Sequence, residues 1–427
     1  MVGPGAPTYI PTYALSCALA IVVLCNFLQP LFAQEVRIGS ENQWPGFRGP
    51  NGLGVVTDRN PPLSFDAKTG ENIKWKISLP KHGMSSPIVW GSQVYLTGAN
   101  EASRQLYAID AETGKLLWTH DVQGLEDEPS EGTLPKVLDE TGYAASTPTT
   151  DGRFIAAVFA TGELVCVDFK GNRIWSKHLG VPKNHYGHAS SLLNDGDRLF
   201  VQFDHSLNSK LYAFDFATGK IVWQVERKEI AWSSPILIES NGMRELIVAN
   251  SKSVDSYDPK SGKLIWHVDC LAGEVAASPA YSEGIVVVAS EGSAATAIDI
   301  AAATDASRIR WQWKESLPDT ASPVASKGMV IIPTGFGVVS CLDLKTGKML
   351  WEHQFDTGFS SSPIIVGDKV FLADLTGKLQ IFKISTTFEL LGECNLGEAI
   401  YATPSFAETR IFIRGVNQLF CIAQAGE

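Results

Sequence analysis

Eight times along this chain a small residue, then Ser or Thr, then usually Pro, opens an apolar run. The copies end at Ser86-Pro87, Thr147-Pro148, Ser191-Leu192, Ser234-Pro235, Ser278-Pro279, Ser322-Pro323, Ser362-Pro363 and Thr403-Pro404. Their third residues are 61, 44, 43, 44, 44, 40 and 41 positions apart. A fixed period of this length marks an array of one supersecondary unit, not a string of unrelated domains.

The unit reads strand by strand. In the first copy, Ser86 to Trp90 is a short apolar run ended by Gly91, and Gln93 to Thr97 alternates as a strand does. Leu106 to Asp110 is a third strand, Thr113-Gly114-Lys115 a turn and Leu116 to Trp118 a fourth strand. Short runs rich in β-branched and aromatic residues, bounded by Gly, Asp or Asn, favour strand over helix. Four antiparallel strands repeated at this period describe a β-propeller blade.

The third and fourth strands share the signature Ala-x-Asp-x-x-Thr-Gly-x-x-x-Trp. It is complete at Ala108, Asp110, Thr113, Gly114 and Trp118, and again at Ala213, Asp215, Thr218, Gly219 and Trp223. Variants run from Asp168 to Trp175, Asp258 to Trp266, Asp299 to Trp311 and Asp343 to Trp351. The Asp bonds turn amides, the Gly takes positive φ and the Trp covers the neighbouring blade. In the seventh copy Lys383 stands for the Asp and Leu390-Leu391 for the Trp.

This signature resembles the tryptophan-docking repeat of the pyrroloquinoline quinone (PQQ) propeller superfamily, which includes PQQ-dependent alcohol dehydrogenases and BamB-type outer-membrane assembly lipoproteins. The match covers residues 72–424. WD40 arrays share the period but carry a Gly-His and Trp-Asp pattern, which is absent here. The lead Trp44-Pro45-Gly46-Phe47-Arg48-Gly49-Pro50-Asn51-Gly52 resembles that of secreted PQQ-like propellers from planctomycete-type bacteria. His185-x-x-His188-Ala189-Ser190 and Trp232-Ser233-Ser234-Pro235 fit the same subgroup.

The expected fold is therefore all-β: an eight-bladed propeller of four-stranded antiparallel blades. The eighth copy supplies only three strands before the chain stops, whereas Ile73 to Ile77 is a Trp strand with no blade of its own. Residues 73–77 are thus expected to complete blade eight, join the ends and remove a free sheet edge.

The first 33 residues carry no charged side chain, so the net charge of −11 belongs to the remainder. Acidity without a basic stripe argues against nucleic-acid binding. Ala14 to Phe32 is largely apolar and Leu31-Phe32-Ala33 offers a cleavage site, as in an export signal. The missing Lys or Arg ahead of it leaves an uncleaved anchor as the alternative. Cys25 follows Leu24, a poor lipidation context. The chain divides into a leader (1–33), a Gly- and Pro-rich lead (34–71) and a propeller (72–427), expected as a monomer in the periplasm or cell envelope.

Five of the seven cysteines follow the leader. Cys166, Cys341 and Cys421 share the repeat slot of Ala108, Ala213 and Ala297, and Cys270 and Cys394 fall in outer strands. Equivalent slots of different blades lie too far apart for a disulfide.

The resemblance implies, for the dehydrogenase branch, a central PQQ held with a vicinal Cys-Cys ring, a stacking Trp, Ca²⁺ on Glu and Asn, and an Asp base. No Cys-Cys pair exists here. The first strands are expected to line the channel, and the residues before them form one mouth: His82, Tyr143, His188, Trp232, Glu274, Asp319, Phe359 and Tyr401, with His185 beside His188. As metal ligands His185 and His188 need a third donor, Glu274 or Asp319 across the axis; no metal is expected. The insert at 124–142 is acidic and is read as a solvated loop, with Ca²⁺ or a basic partner as the alternative. Walker, Gly-x-Ser-x-Gly and zincin motifs are absent.

Two functions compete. One is an exported, non-catalytic scaffold that binds a protein, peptide or glycan through the mouth or rim, with no cofactor. The other is a PQQ- and Ca²⁺-dependent oxidoreductase. A hydrolase or lyase built on His188 and a channel carboxylate is a third. Fold alone does not choose among them.

Overall fold

The computed structural model describes residues 1–5, 42–125, 137–139, 141–240, 242–424 and 426. The leader beyond residue 5, and residues 126–136 and 140 of the acidic insert, lie outside the described residues.

From residue 42 onward the chain forms eight sheets, each with four antiparallel strands in meander order. Blade 3 is representative: Leu193–Asp195, Arg198–Phe203, Lys210–Asp215 and Ile221–Glu226 pair in that sequence. The middle strands are covered on both faces by neighbouring blades, so they read as unbroken apolar runs; Leu199, Phe200 and Val201 are fully buried. The eighth blade comprises Ser405–Ala407, Arg410–Arg414, Gln418–Ile422 and, from the other end of the chain, Ile73–Ser78. Trp75 lies opposite Cys421, as the repeat register requires.

The repeat signature binds blade to blade. Trp75, Trp118, Trp175, Trp223, Trp311 and Trp351 donate their indole N–H to carbonyls of the next blade, on Ala111, Phe169, Phe216, Pro259, Leu344 and Ser385, at 2.8–3.1 Å. The ring lies against the turn glycine of that blade. A Cβ on Gly114, Gly171, Gly219, Gly262 or Gly347 would stand 2.6–2.8 Å from an indole atom, and each of these glycines has positive φ. The Asp fixes the turn. Asp110 Oδ1 accepts from the Thr113 hydroxyl and from the N–H groups of Thr113 and Glu112, which holds its carboxyl below the usual range.

Two seams depart from this pattern. Trp266 donates instead to Glu245 of its own blade at 2.8 Å, and Arg308 from the longer turn of blade 5 lies over its ring at 5.2 Å. Blade 7 has no Trp, and the lead covers its outer edge. Phe65 is buried in one cluster with Ile381, Cys394 and Leu396, and the Ala67 N–H donates to Asn395 O at 2.9 Å. The five described cysteines are free thiols; Cys166, Cys341 and Cys421 each face a Trp of their own blade.

The lead does more than cover that edge. Gln43–Trp44 pairs antiparallel with Ile88–Trp90 of blade 1, and Val55–Val56 pairs parallel with Ile364–Val366 of blade 7. Pro45 O accepts from Thr149 and Thr150 of blade 2. Gly46 faces Leu192 O of blade 3, and Gly52 faces Pro235 O of blade 4. Arg48 donates to Pro279 O of blade 5 at 2.9 Å and Pro323 O of blade 6 at 2.6 Å. Arg59 reaches Phe406 O of blade 8. The lead thus touches every blade at or just beyond its repeat phrase and closes one end of the channel.

Candidate functional site

The Ser or Thr of each repeat phrase has one structural role. The backbone N–H of each donates to the hydroxyl of the corresponding residue in the next blade. Ser86 donates to Thr147, Thr147 to Ser191, Ser191 to Ser234 and Ser234 to Ser278. Ser278 donates to Ser322, Ser322 to Ser362, Ser362 to Thr403, and Thr403 back to Ser86 across 317 residues. All eight bonds measure 2.8–3.1 Å. The ring fixes the first strands around the axis, and all eight side chains are buried. Each hydroxyl oxygen is used as an acceptor, while among the described residues none of the eight O–H groups finds an acceptor.

This ring encircles the lower part of a cavity of about 320 Å³. A second tier lies two residues upstream in each blade: Met84, Ala145, Ala189, Trp232, Ala276, Thr320, Ser360 and Tyr401. Extended backbone alternates its side chains, so the residue before each ring hydroxyl turns into the blade and the one before that returns to the axis. Trp232 belongs to blade 4 and Tyr401 to blade 8, half the ring apart. Phe47 is the lead residue that lines the cavity and forms its floor. The result is a cup, closed by the lead and open toward the loops that precede the first strands.

Behind the floor, Arg48 is fully buried with no carboxylate partner among the described residues, and desolvation pulls its pKa down to about 9. At neutral pH it remains a cation, held by the carbonyls of Pro279 and Pro323. The rim has the opposite sign. Glu274 and Asp319 line it, and the Asp319 carboxyl is pushed up by desolvation and by the charges of Glu291 and Glu274. Tyr186 donates its hydroxyl to Glu274 at 3.2 Å and meets the Trp232 ring edge-on at 5.1 Å. No Lys, Arg or His lines the cup among the described residues.

Of the nine residues expected at the mouth, the structure brings Trp232, Glu274, Asp319 and Tyr401 into this cup. The others are corrected. Phe359 is fully buried in a cluster with Phe355, because its position turns into the blade. His188 is buried and stacked on Phe203 at 5.2 Å; burial pushes its pKa down to about 4, so it is neutral and faces the core. Tyr143 packs under Arg104 at 5.1 Å. His82 lies not in the cup but in an adjoining recess, which shares Met84, Tyr401 and Ala402 with it and includes Arg414; the pKa of His82 is lowered by burial and by that cation. His185 is exposed, and its carbonyl accepts from Leu138 N–H. The two histidines therefore do not converge with Glu274 and Asp319, and the His188-based hydrolase is not assembled. Sequence reasoning missed Phe47, Tyr186 and the small residues of the second tier. Counting back by two from each ring hydroxyl finds that tier.

Comparison with known proteins accords with this geometry. The family model described as outer membrane protein assembly factor BamB matches residues 42–198, 127–246, 207–322 and 300–387. Among curated proteins, the tetrathionate hydrolase of Acidithiobacillus ferrooxidans is 23% identical over 73% of this chain and 66% of its own length. Outer membrane protein assembly factor BamB of Shewanella oneidensis is 23% identical over 74% of this chain and 65% of its own length. The chain thus spans just under two thirds of these relatives. A solved europium-containing methanol dehydrogenase superposes with a TM-score of 0.67 at 11% identity, covering 90% of this chain and 98% of that one, which shows the fold alone. The chain belongs to the BamB family of PQQ-like propellers.

Proposed function

From membership of that family we propose that this chain is an exported, non-catalytic binding scaffold whose cup and rim take a protein, peptide or glycan partner. The observation that carries this reading is the cup itself: floored by Phe47, walled by aromatics and small residues, and bearing two carboxylates with no Lys, Arg or His in its lining among the described residues. Rigid Tyr and Trp side chains on a concave surface supply contact area at low entropic cost. The leader and the relative named as an outer membrane assembly factor both support placement in the cell envelope.

The quinoprotein reading has one observation in its favour. Trp232, Glu274 and Asp319 share a cavity large enough for a flat ligand. The donor set does not fit PQQ. That cofactor is a tricarboxylate, and among the described residues the cup offers it two carboxylates and no cationic side chain. Trp232 is a wall and Phe47 the floor, and the vicinal cysteines implied by the dehydrogenase branch are missing from the sequence.

The test is titration of the purified full chain with PQQ and Ca²⁺, followed by gel filtration and a dye-linked alcohol oxidation assay. The expected result is no quinone absorbance travelling with the protein and no turnover. Co-eluting quinone with Ca²⁺-dependent turnover refutes the scaffold.

A further inference from the structure

On the binding reading above, we propose that the cup holds a neutral sugar unit, the end of an oligosaccharide carried by the partner. Three features of the lining converge on that chemistry. At depth, the repeat hydroxyls, Ser234 and Ser278 among them, are more than nine-tenths buried and line the cavity. Each already accepts one backbone N–H and keeps a proton to donate and a second lone pair, and the protons call for oxygen acceptors on a ligand that fills the cup.

At the rim the demand is reversed. Glu274 and Asp319 accept hydrogen bonds and donate none when ionised, so the outer end of the ligand must carry donors. Between the two levels Trp232 and Tyr401 line the wall from blades half a ring apart, and flat aromatic faces match the C–H faces of a pyranose.

Other ligand classes meet only part of this lining. An anion satisfies the hydroxyls but meets two carboxylates and, among the described residues, no cationic side chain. An amine satisfies the carboxylates but leaves the deep hydroxyl protons without acceptors. A sugar carries donors, acceptors and apolar faces together and needs no counter-ion. The cavity of about 320 Å³ suits one or two sugar rings. The proposal is one of binding, and no bond is made or broken in it.

Isothermal titration of the full chain with maltose, cellobiose and N,N′-diacetylchitobiose tests this, with putrescine and gluconate as the charged controls. At least one disaccharide is expected to bind with a Kd of about 1 mM or tighter. Trp232→Ala and Tyr401→Ala are each expected to weaken that binding about tenfold or more, with their melting temperatures unchanged. Glu274→Gln is expected to weaken it less, and added salt to leave it unaltered. The proposal is overturned if no disaccharide binds, if Trp232→Ala binds as well as the parent, or if putrescine binds and the sugars do not. Failure here, with PQQ also failing to bind, strikes the sugar assignment alone; Ca²⁺-dependent uptake of PQQ strikes the scaffold reading beneath it.

Discussion

The two ends of the channel start from the same eight strands and are finished in opposite ways. At the closed end one segment, residues 43–59, touches every blade through backbone carbonyls, short strand pairings and a buried guanidinium. At the open end, separate loops contribute exposed or half-buried side chains, and among the described residues no cation lines the cup with Glu274 and Asp319. At the closed end the lead's carbonyls and guanidinium N–H groups are largely taken up by the blades. Groups at the open end are left for something else to satisfy. That contrast, more than the fold, directs attention to the cup.

Substitutions at the closed end are expected to act on stability. Trp44 is fully buried between Phe406, 5.7 Å away, and Arg59, 5.4 Å above its ring. Trp44→Ala should cost about 4 kcal/mol in denaturant unfolding, the largest single effect expected. Arg48→Met comes next. It removes the donors that join Pro279 and Pro323 across adjacent blades and should cost about 2 kcal/mol, read by the same unfolding curve. An unchanged midpoint for either would show that the lead merely rests on the propeller.

Substitutions at the open end should invert the pattern. Trp232→Ala and Tyr401→Ala are expected to change unfolding by less than about 1 kcal/mol while abolishing most ligand capture. If they destabilise as Trp44→Ala does, the two ends are not specialised. The smallest effect concerns Asp319, whose folded pKa is raised. Its contribution to stability is fullest below the unfolded carboxylate value and is lost as pH rises through the raised one. Asp319→Asn should therefore melt slightly higher than the parent at neutral pH, and the difference should vanish on acidification. A mutant that melts lower at neutral pH would mean that a cation already pairs with this carboxylate.

Much of the closed architecture was legible in the sequence because it repeats. The Trp75 strand without a blade and the last blade without a Trp strand pointed to each other, and they pair. The mouth was harder because its register depends on backbone alternation, not on a motif. Offsets taken loosely caught Trp232 and Tyr401 but also Phe359, one residue off and facing the core. His188 looked like chemistry by residue type, yet lies against Phe203. The lead was recognisable as a segment, but its contacts to the eight blades are mostly to carbonyls, which leave no pattern in side-chain identity.

The central claim is that the channel is sealed at one end and open for binding at the other. Amide hydrogen exchange on the full chain tests it most directly. In the lead, the N–H groups of Gly49, Gly52 and Gly54 donate to Gly46, Gly49 and Arg48 at 2.8–3.1 Å beneath the cup. The account predicts that peptides covering residues 44–54 exchange as slowly as the middle strands of the blades, while those covering 184–190 at the rim exchange far faster. Early exchange of residues 44–54, alongside the rim loops, would show a channel open at both ends and contradict the account.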